Sequence, residues 1–136
     1  MHELAVCQNM LARVDSIARE HGARQVRSIH LQIGPLSGIE ADLLQHSFSI
    51  ARGGTLAEGA ELLIEKLPVR IRCHACGKDS EASINRLVCP RCGDASTRLL
   101  SGDEMLLHSI KLAENSVSQI YSIAGFDNKT FQRPAR

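Results

Sequence analysis

The apolar positions of the chain change their period several times. From Leu4 to Ala18 they recur at every third or fourth residue. Leu4, Cys7, Leu11, Val14 and Ala18 share one helical face, and Met10 and Ile17 widen it. Arg13, Asp15, Arg19 and Glu20 occupy the remaining circumference. Gly22 predicts the stop, because glycine accepts the left-handed conformation that ends many helices. Cys7 lies inside the apolar stripe and reads as a core residue, since a free cysteine packs as a small hydrophobe. Over Val26–Ile33 the period drops to two: Ile29, Leu31 and Ile33 alternate with Ser28, His30 and Gln32, the pattern of a half-buried strand. His30 falls on the polar side.

GPLSG breaks this strand, and Ser37 followed by Glu40 has capping-box spacing for a second helix. Ile39, Leu43, Leu44, Ser47 and Ile50 are expected on its inner side, His46 at its surface, and Gly53-Gly54 at its end. Glu61–Leu67 reads as a second strand continuing past Pro68 into Val69–Arg72. Met105–Leu112 reads as a third, with Ser101–Glu104 as a turn that pairs Thr97–Leu100 with it as a hairpin. His108 faces core or solvent according to register. The resulting expectation is an α+β fold: a small three-stranded sheet with two helices on one face, plus an inserted zinc-ribbon module. Residues 1–70 and 99–113 form the α/β domain, 71–98 the module, and 114–136 a loosely ordered tail with a brief apolar helical face at Val117, Ile120, Tyr121 and Ala124.

Composition narrows the class. The chain has 136 residues, enough for one modest domain with a satellite. It has three Phe, one Tyr and no Trp, so the core is built from Leu, Ile, Val and Ala. The net charge of +1, with both signs dispersed, argues against a dedicated nucleic-acid binder. No apolar run reaches the roughly 18–20 residues that a membrane helix needs. Glu3, Arg13 and Asp15 make the first stretch unlike a secretory signal, so a cytoplasmic protein is expected.

Four of the five cysteines fall in two pairs, Cys73-x2-Cys76 and Cys89-x2-Cys92, separated by twelve residues. In a reducing compartment such pairs hold metal more often than they form disulfides. Each pair folds as a knuckle with converging sulfurs, and two facing knuckles make a tetrahedral all-sulfur cage suited to Zn(II). Gly77 and Gly93 let the backbone turn back over the sulfur, and Pro90 stiffens the second knuckle. A closed cage leaves no open position for water or substrate, so the site is structural. Only Ile84, Leu87 and Val88 are notably apolar between the knuckles, so the metal must supply the folding energy, roughly 10–16 kcal/mol in comparable peptides. His74, within the first knuckle, reads as a solvated loop residue, with exchange for a protonated cysteine as the alternative.

The chain opens Met1-His2-Glu3. A free α-amine, the His2 amide nitrogen and the His2 imidazole Nδ1 close a five- and a six-membered chelate ring in nearly one plane. That plane suits Ni(II) or Cu(II). The amine has an ordinary pKa of about 7.7–8.0, so it loses its proton readily. The Glu3 amide or an outside ligand completes the square. Retention of Met1 is expected because His2 is bulky.

The N-terminal MHE, the first helix, VRSIHLQIGPLSGIE, ELLIEKLPV, the two cysteine pairs with CP-x-CG, and SGDEMLLHSIKL together resemble the HypA/HybF family. The resemblance runs from Met1 to about Leu112. It implies a nickel metallochaperone for maturation of nickel-iron hydrogenase, not an enzyme. It places the nickel site on Met1, His2 and Glu3 and the zinc site on Cys73, Cys76, Cys89 and Cys92. It also implies delivery with a partner GTPase to the hydrogenase large subunit, with urease served in some organisms. No nucleic acid and no membrane are implied, and both a monomer and a homodimer are compatible. Glu3 has three roles open to it: a backbone nitrogen ligand, a contact to the partner, or compensation of charge near the positive helix end. The competing reading is a zinc-ribbon adaptor or nucleic-acid-binding module. It would want a basic-aromatic surface, and the module offers only Arg86, Arg91 and Arg98. A third reading, an enzyme, has no paired nucleophile and base to support it.

Overall fold

The computed structural model describes residues 2–114 and 117–122. Helix α1 spans His2–Glu20, strand β1 Gln25–Ile33, helix α2 Ala41–Ala51 and strand β2 Glu61–Lys66. Strands β3 (Val69–Cys73), β4 (Asp79–Ala82) and β5 (Thr97–Ser101) follow, then β6 (Met105–Glu114) and β7 (Val117–Ser122). The strands form two sheets, of order β2-β1-β6-β7 and β4-β3-β5.

The first sheet carries the main core. β1 runs parallel to β2, with α2 in the crossover, and antiparallel to β6. Val6, Cys7, Met10, Leu11, Val14, Ile17 and Ala18 of α1 meet Val26, Ile29, Leu31 and Ile33 of β1 and Met105, Leu107, Ile110 and Leu112 of β6. The period-two reading of β1 therefore holds, and so does the α1 stripe, with Val6 added to it. Gly22 (φ 69°) ends α1 as expected. Its N–H reaches the Arg19 carbonyl at 3.1 Å and the Ala23 N–H reaches the Ala18 carbonyl at 2.9 Å, the double closure of a Schellman motif.

Several expectations change. Helix α2 starts at Ala41, and no side chain caps it; Ser37 Oγ instead accepts the Ile39 N–H at 3.2 Å in a local turn. The inner face is Leu44, Ser47 and Phe48, while Leu43 (44%) and Ile50 (62%) are exposed. His46 is at the surface, as read. Pro68 separates β2 from β3 instead of continuing one strand. It has no N–H for the ladder, and the chain leaves the first sheet there for the second. β5 pairs antiparallel with β3, not with β6. At the intervening turn, Gly102 (φ 120°) gives its N–H to Glu104 Oε1 at 2.8 Å, and its carbonyl accepts the Leu36 N–H at 2.6 Å. A Cβ on Gly34 would overlap the Gly102 backbone, so two glycines allow this close crossing.

The expected three strands β2, β1 and β6 stand side by side, and β7 adds a fourth along β6. The segment read as a tail with a helical face thus contributes a strand over Val117–Ser122, drawn into shape by the open edge of β6. Ala124 and the rest of the tail lie outside the described residues.

Candidate metal centres

The second sheet holds the four paired cysteines. Cys73 ends β3, Cys76 lies in the turn to β4, and Cys89 and Cys92 belong to the loop before β5. The two knuckles are built alike. Gly77 N–H donates to the Cys73 carbonyl at 2.9 Å and Gly93 N–H to the Cys89 carbonyl at 2.8 Å. Cys73 N–H donates to the Lys78 carbonyl and Cys89 N–H to the Asp94 carbonyl, both at 3.0 Å. Each fold-back needs a left-handed residue after the second cysteine, supplied by Gly77 (φ 73°) and Gly93 (φ 79°).

The result is a cage. All four sulfurs lie within 4.8 Å of one another, with Cys73–Cys92 at 3.5 Å and Cys76–Cys89 at 3.8 Å. A tetrahedron with metal–sulfur bonds of about 2.3 Å has edges of about 3.8 Å, so the donors already stand where one ion would hold them. Cys73 and Cys89 are buried; Cys76 and Cys92 face outward. The Cys92 and Arg91 backbone N–H groups pull the Cys89 thiol down to about 7 against the effect of burial. At Cys92 the Asp94 N–H also pulls down, but the neighbouring sulfurs of Cys73, Cys89 and Cys76, with loss of water, push the thiol up to about 12. Four thiolates repel one another unless a cation sits among them. The cage is thus a metal-binding cluster whose protons leave as the ion enters.

His74 is exposed and does not join the sulfurs; its backbone N–H donates to the Ser96 carbonyl at 2.9 Å. Ile84 (48%) and Leu87 (37%) are exposed, which leaves Val69 and Ile71 as the module's buried aliphatic side chains. Arg72 is engaged by Asp79 at 2.7 Å, so part of the module's positive charge is neutralised within its own sheet.

At the other end of the molecule, α1 begins at His2. Met1 lies outside the described residues, and of His2 only the backbone is described. Glu3 belongs to the first turn, and its Oε2 accepts the Glu40 N–H at 3.4 Å. Glu40 is the N-cap of α2, so one carboxylate sits at the start of its own helix and at that of its neighbour. Both are places where helix dipoles favour negative charge. Sequence reading missed this contact because nothing local links residues 37 positions apart.

Cys7 stands apart from both centres. It is fully buried in the main core, and burial pushes its thiol up to about 11. It is a packing residue, as its position in the stripe implied. The described helices include none long and apolar enough to cross a membrane.

A family model described as "Hydrogenase/urease nickel incorporation, metallochaperone, hypA" matches residues 1–112. The hydrogenase maturation factor HypA of Nitrosospira multiformis is 46% identical over 112 residues, covering 82% of this chain and 97% of that protein. The corresponding factor of Aquifex aeolicus is 40% identical over 112 residues, with the same coverage of 82% and 97%. Among solved structures, the nickel metallochaperone HypA of Helicobacter pylori superposes with a TM-score of 0.62, at 24% identity, over 82% of this chain and 97% of that one. That likeness concerns the fold. The sequence matches, together with the four-sulfur cage, place the chain in the HypA family of hydrogenase maturation metallochaperones.

Proposed function

We propose that this chain binds Ni(II) at Met1, His2 and Glu3 and delivers it for assembly of nickel-iron hydrogenase. In this reading Cys73, Cys76, Cys89 and Cys92 hold a structural Zn(II). The observation that carries the proposal is the family match that begins at residue 1 and therefore includes the Met1-His2-Glu3 start. Local physics supports it. α1 begins at His2, and the first N–H groups of a helix have no intrahelical acceptor. The His2 and Glu3 amides can lose their protons to a metal without breaking helical bonds. The Glu3 carboxylate leans on α2, which leaves its backbone nitrogen as the natural fourth ligand. A chelate at a chain end can be peeled off one nitrogen at a time, which suits a protein that must give its cargo away.

The partners in this reading are the hydrogenase-maturation GTPase and the hydrogenase large subunit, with urease maturation proteins as a further outlet, all in the cytoplasm. Raw affinity favours Cu(II) over Ni(II) at such a site, so selectivity comes from supply and from partners. Calorimetric titration with Ni(II) tests the proposal on protein with its native start, on His2→Ala, and on a version whose α-amine is acetylated. Loss of one-to-one binding in both variants, with zinc retained, is the expected result. Equal binding by all three refutes it.

A further inference from the structure

The face of the first sheet turned away from the helices carries a cluster that neither metal centre uses. His30 projects there from β1, opposite Ser109 of β6. The next pair is Leu31 with Leu107, so β6 has one residue more than β1 at this point, and that residue is His108. Leu107 and Ile110 both point into the core although three positions apart, which only a bulge permits. The bulge turns His108 outward beside His30: the ring centroids are 4.7 Å apart, tilted by 51°. From β2, Glu65 brings Oε1 to 3.0 Å from His30 Nε2, and Gln32 Nε2 holds the same oxygen at 3.3 Å. These bonds, the Gln32 bond first, keep the Glu65 carboxyl below its usual range and therefore ionised.

Two imidazoles and an ionised carboxylate are a ligand set for a first-row transition ion. The spacing fits as well. With metal–ligand bonds of about 2.1 Å, neighbouring donors on an octahedral ion lie about 3 Å apart, the His30–Glu65 distance found here. Two imidazoles on one ion have centroids about 4.5–5 Å apart by the same bond lengths. As it stands His108 does not bring a ring nitrogen to the other two donors: its Nδ1 rests 3.3 Å from Ser109 Oγ, a long bond on an exposed ring, so binding requires the ring to turn about the side chain.

We propose that His30, His108 and Glu65 form a second, surface metal site that takes an exchangeable divalent ion of the Ni(II), Cu(II) or Zn(II) class. Three protein donors leave positions open to water, and Gln32 orients the carboxylate from behind. The site is independent of the N-terminal chelate and does not rest on it.

The test uses full-length, zinc-loaded His2→Ala protein, which lacks the imidazole of the N-terminal chelate, and Ni(II) as the probe. An octahedral Ni(II) with water ligands is paramagnetic and broadens nearby amide signals. Titration followed by 1H–15N spectra is expected to broaden residues 29–32, 64–66 and 107–109 first. His108→Gln and, separately, His30→Gln are expected to weaken that binding at least about tenfold while the amide dispersion of the fold persists. Glu65→Gln gives a smaller loss. Absence of broadening on this face at millimolar Ni(II), or equal affinity in both histidine variants, overturns the proposal. Having two independent histidine variants keeps the test decisive if one of them folds poorly.

Discussion

Removing the metal from the four-cysteine cage should unfold the module and leave the main domain standing. The buried residues of the main core come from α1, the turn after it, β1, α2 and the segment before it, the loop before β2, β2 and β6, and none lies between Leu62 and Met105. The module's own buried aliphatic side chains are Val69 (3%) and Ile71 (1%). Burying two such side chains contributes about 3–6 kcal/mol. A four-thiolate zinc site supplies roughly 10–16 kcal/mol in comparable peptides, several times that contribution, so the cage is the term that decides. The assay is a chelator titration under reducing conditions, read by 1H–15N spectra and hydrogen exchange. Amides of Ile71, Arg72, Arg98 and Leu99 should lose dispersion and protection. Those of Ile29, Leu31 and Ile110 should keep both. A module that stays protected without metal, or a main domain that melts with it, would show that the module has a source of stability other than its ion.

Other outcomes follow from the same packing. Cys7, fully buried and with its thiol at about 11, should resist thiol reagents in native protein and react only on unfolding, whereas the metal-free cage cysteines should react at once. Phe48→Ala should destabilise by about 3–5 kcal/mol in chemical denaturation, while Ile50→Ser, at an exposed position on the same helix, should change stability by less than about 0.5 kcal/mol.

What could be read from the sequence was what local chemistry dictates. The cysteine spacing specified two knuckles because a two-residue gap has few ways to bring sulfurs together. The α1 stripe and the alternation of β1 were legible because each buries one face against the same core. The errors share a different cause. Leu43 and Ile50 read as inner because they stand three or four residues from Ile39 and Ser47, but the face centred on Leu44 and Phe48 is the one that meets α1 and β2. Thr97–Leu100 was paired with the nearest strand in sequence, but its true partner, β3, lies across the whole cysteine loop. Pro68 sits between two stretches of good strand residues, and only the sheet each one joins reveals the break. The bulge at His108 was within reach, since Leu107 and Ile110 cannot both face the core in an unbroken strand.

The four-cysteine cage and the head of α1 are linked through a short run of backbone. β5 leaves the cage and ends at Ser101; Gly102 then gives its carbonyl to Leu36, and Gly34 gives its N–H to the Glu104 carbonyl at 2.8 Å. Four residues after Leu36, Glu40 donates to the Glu3 carboxylate at the head of α1. No other residue than glycine fits at position 34, because any Cβ would overlap Gly102. Gly34→Ala should therefore push this seam apart, at a cost of about 1–3 kcal/mol in stability. Its further effect is the informative one. If the seam positions the α2 cap, the amides of Glu40 and Glu3 should shift in 1H–15N spectra, with the cage still loaded. Removal of the cage metal by a chelator should move the same two signals in an otherwise native main domain. If Gly34→Ala lowers stability but leaves Glu40 and Glu3 unmoved, the seam is only a crossing point of two chains, and the cage and the N-terminal start behave as separate sites.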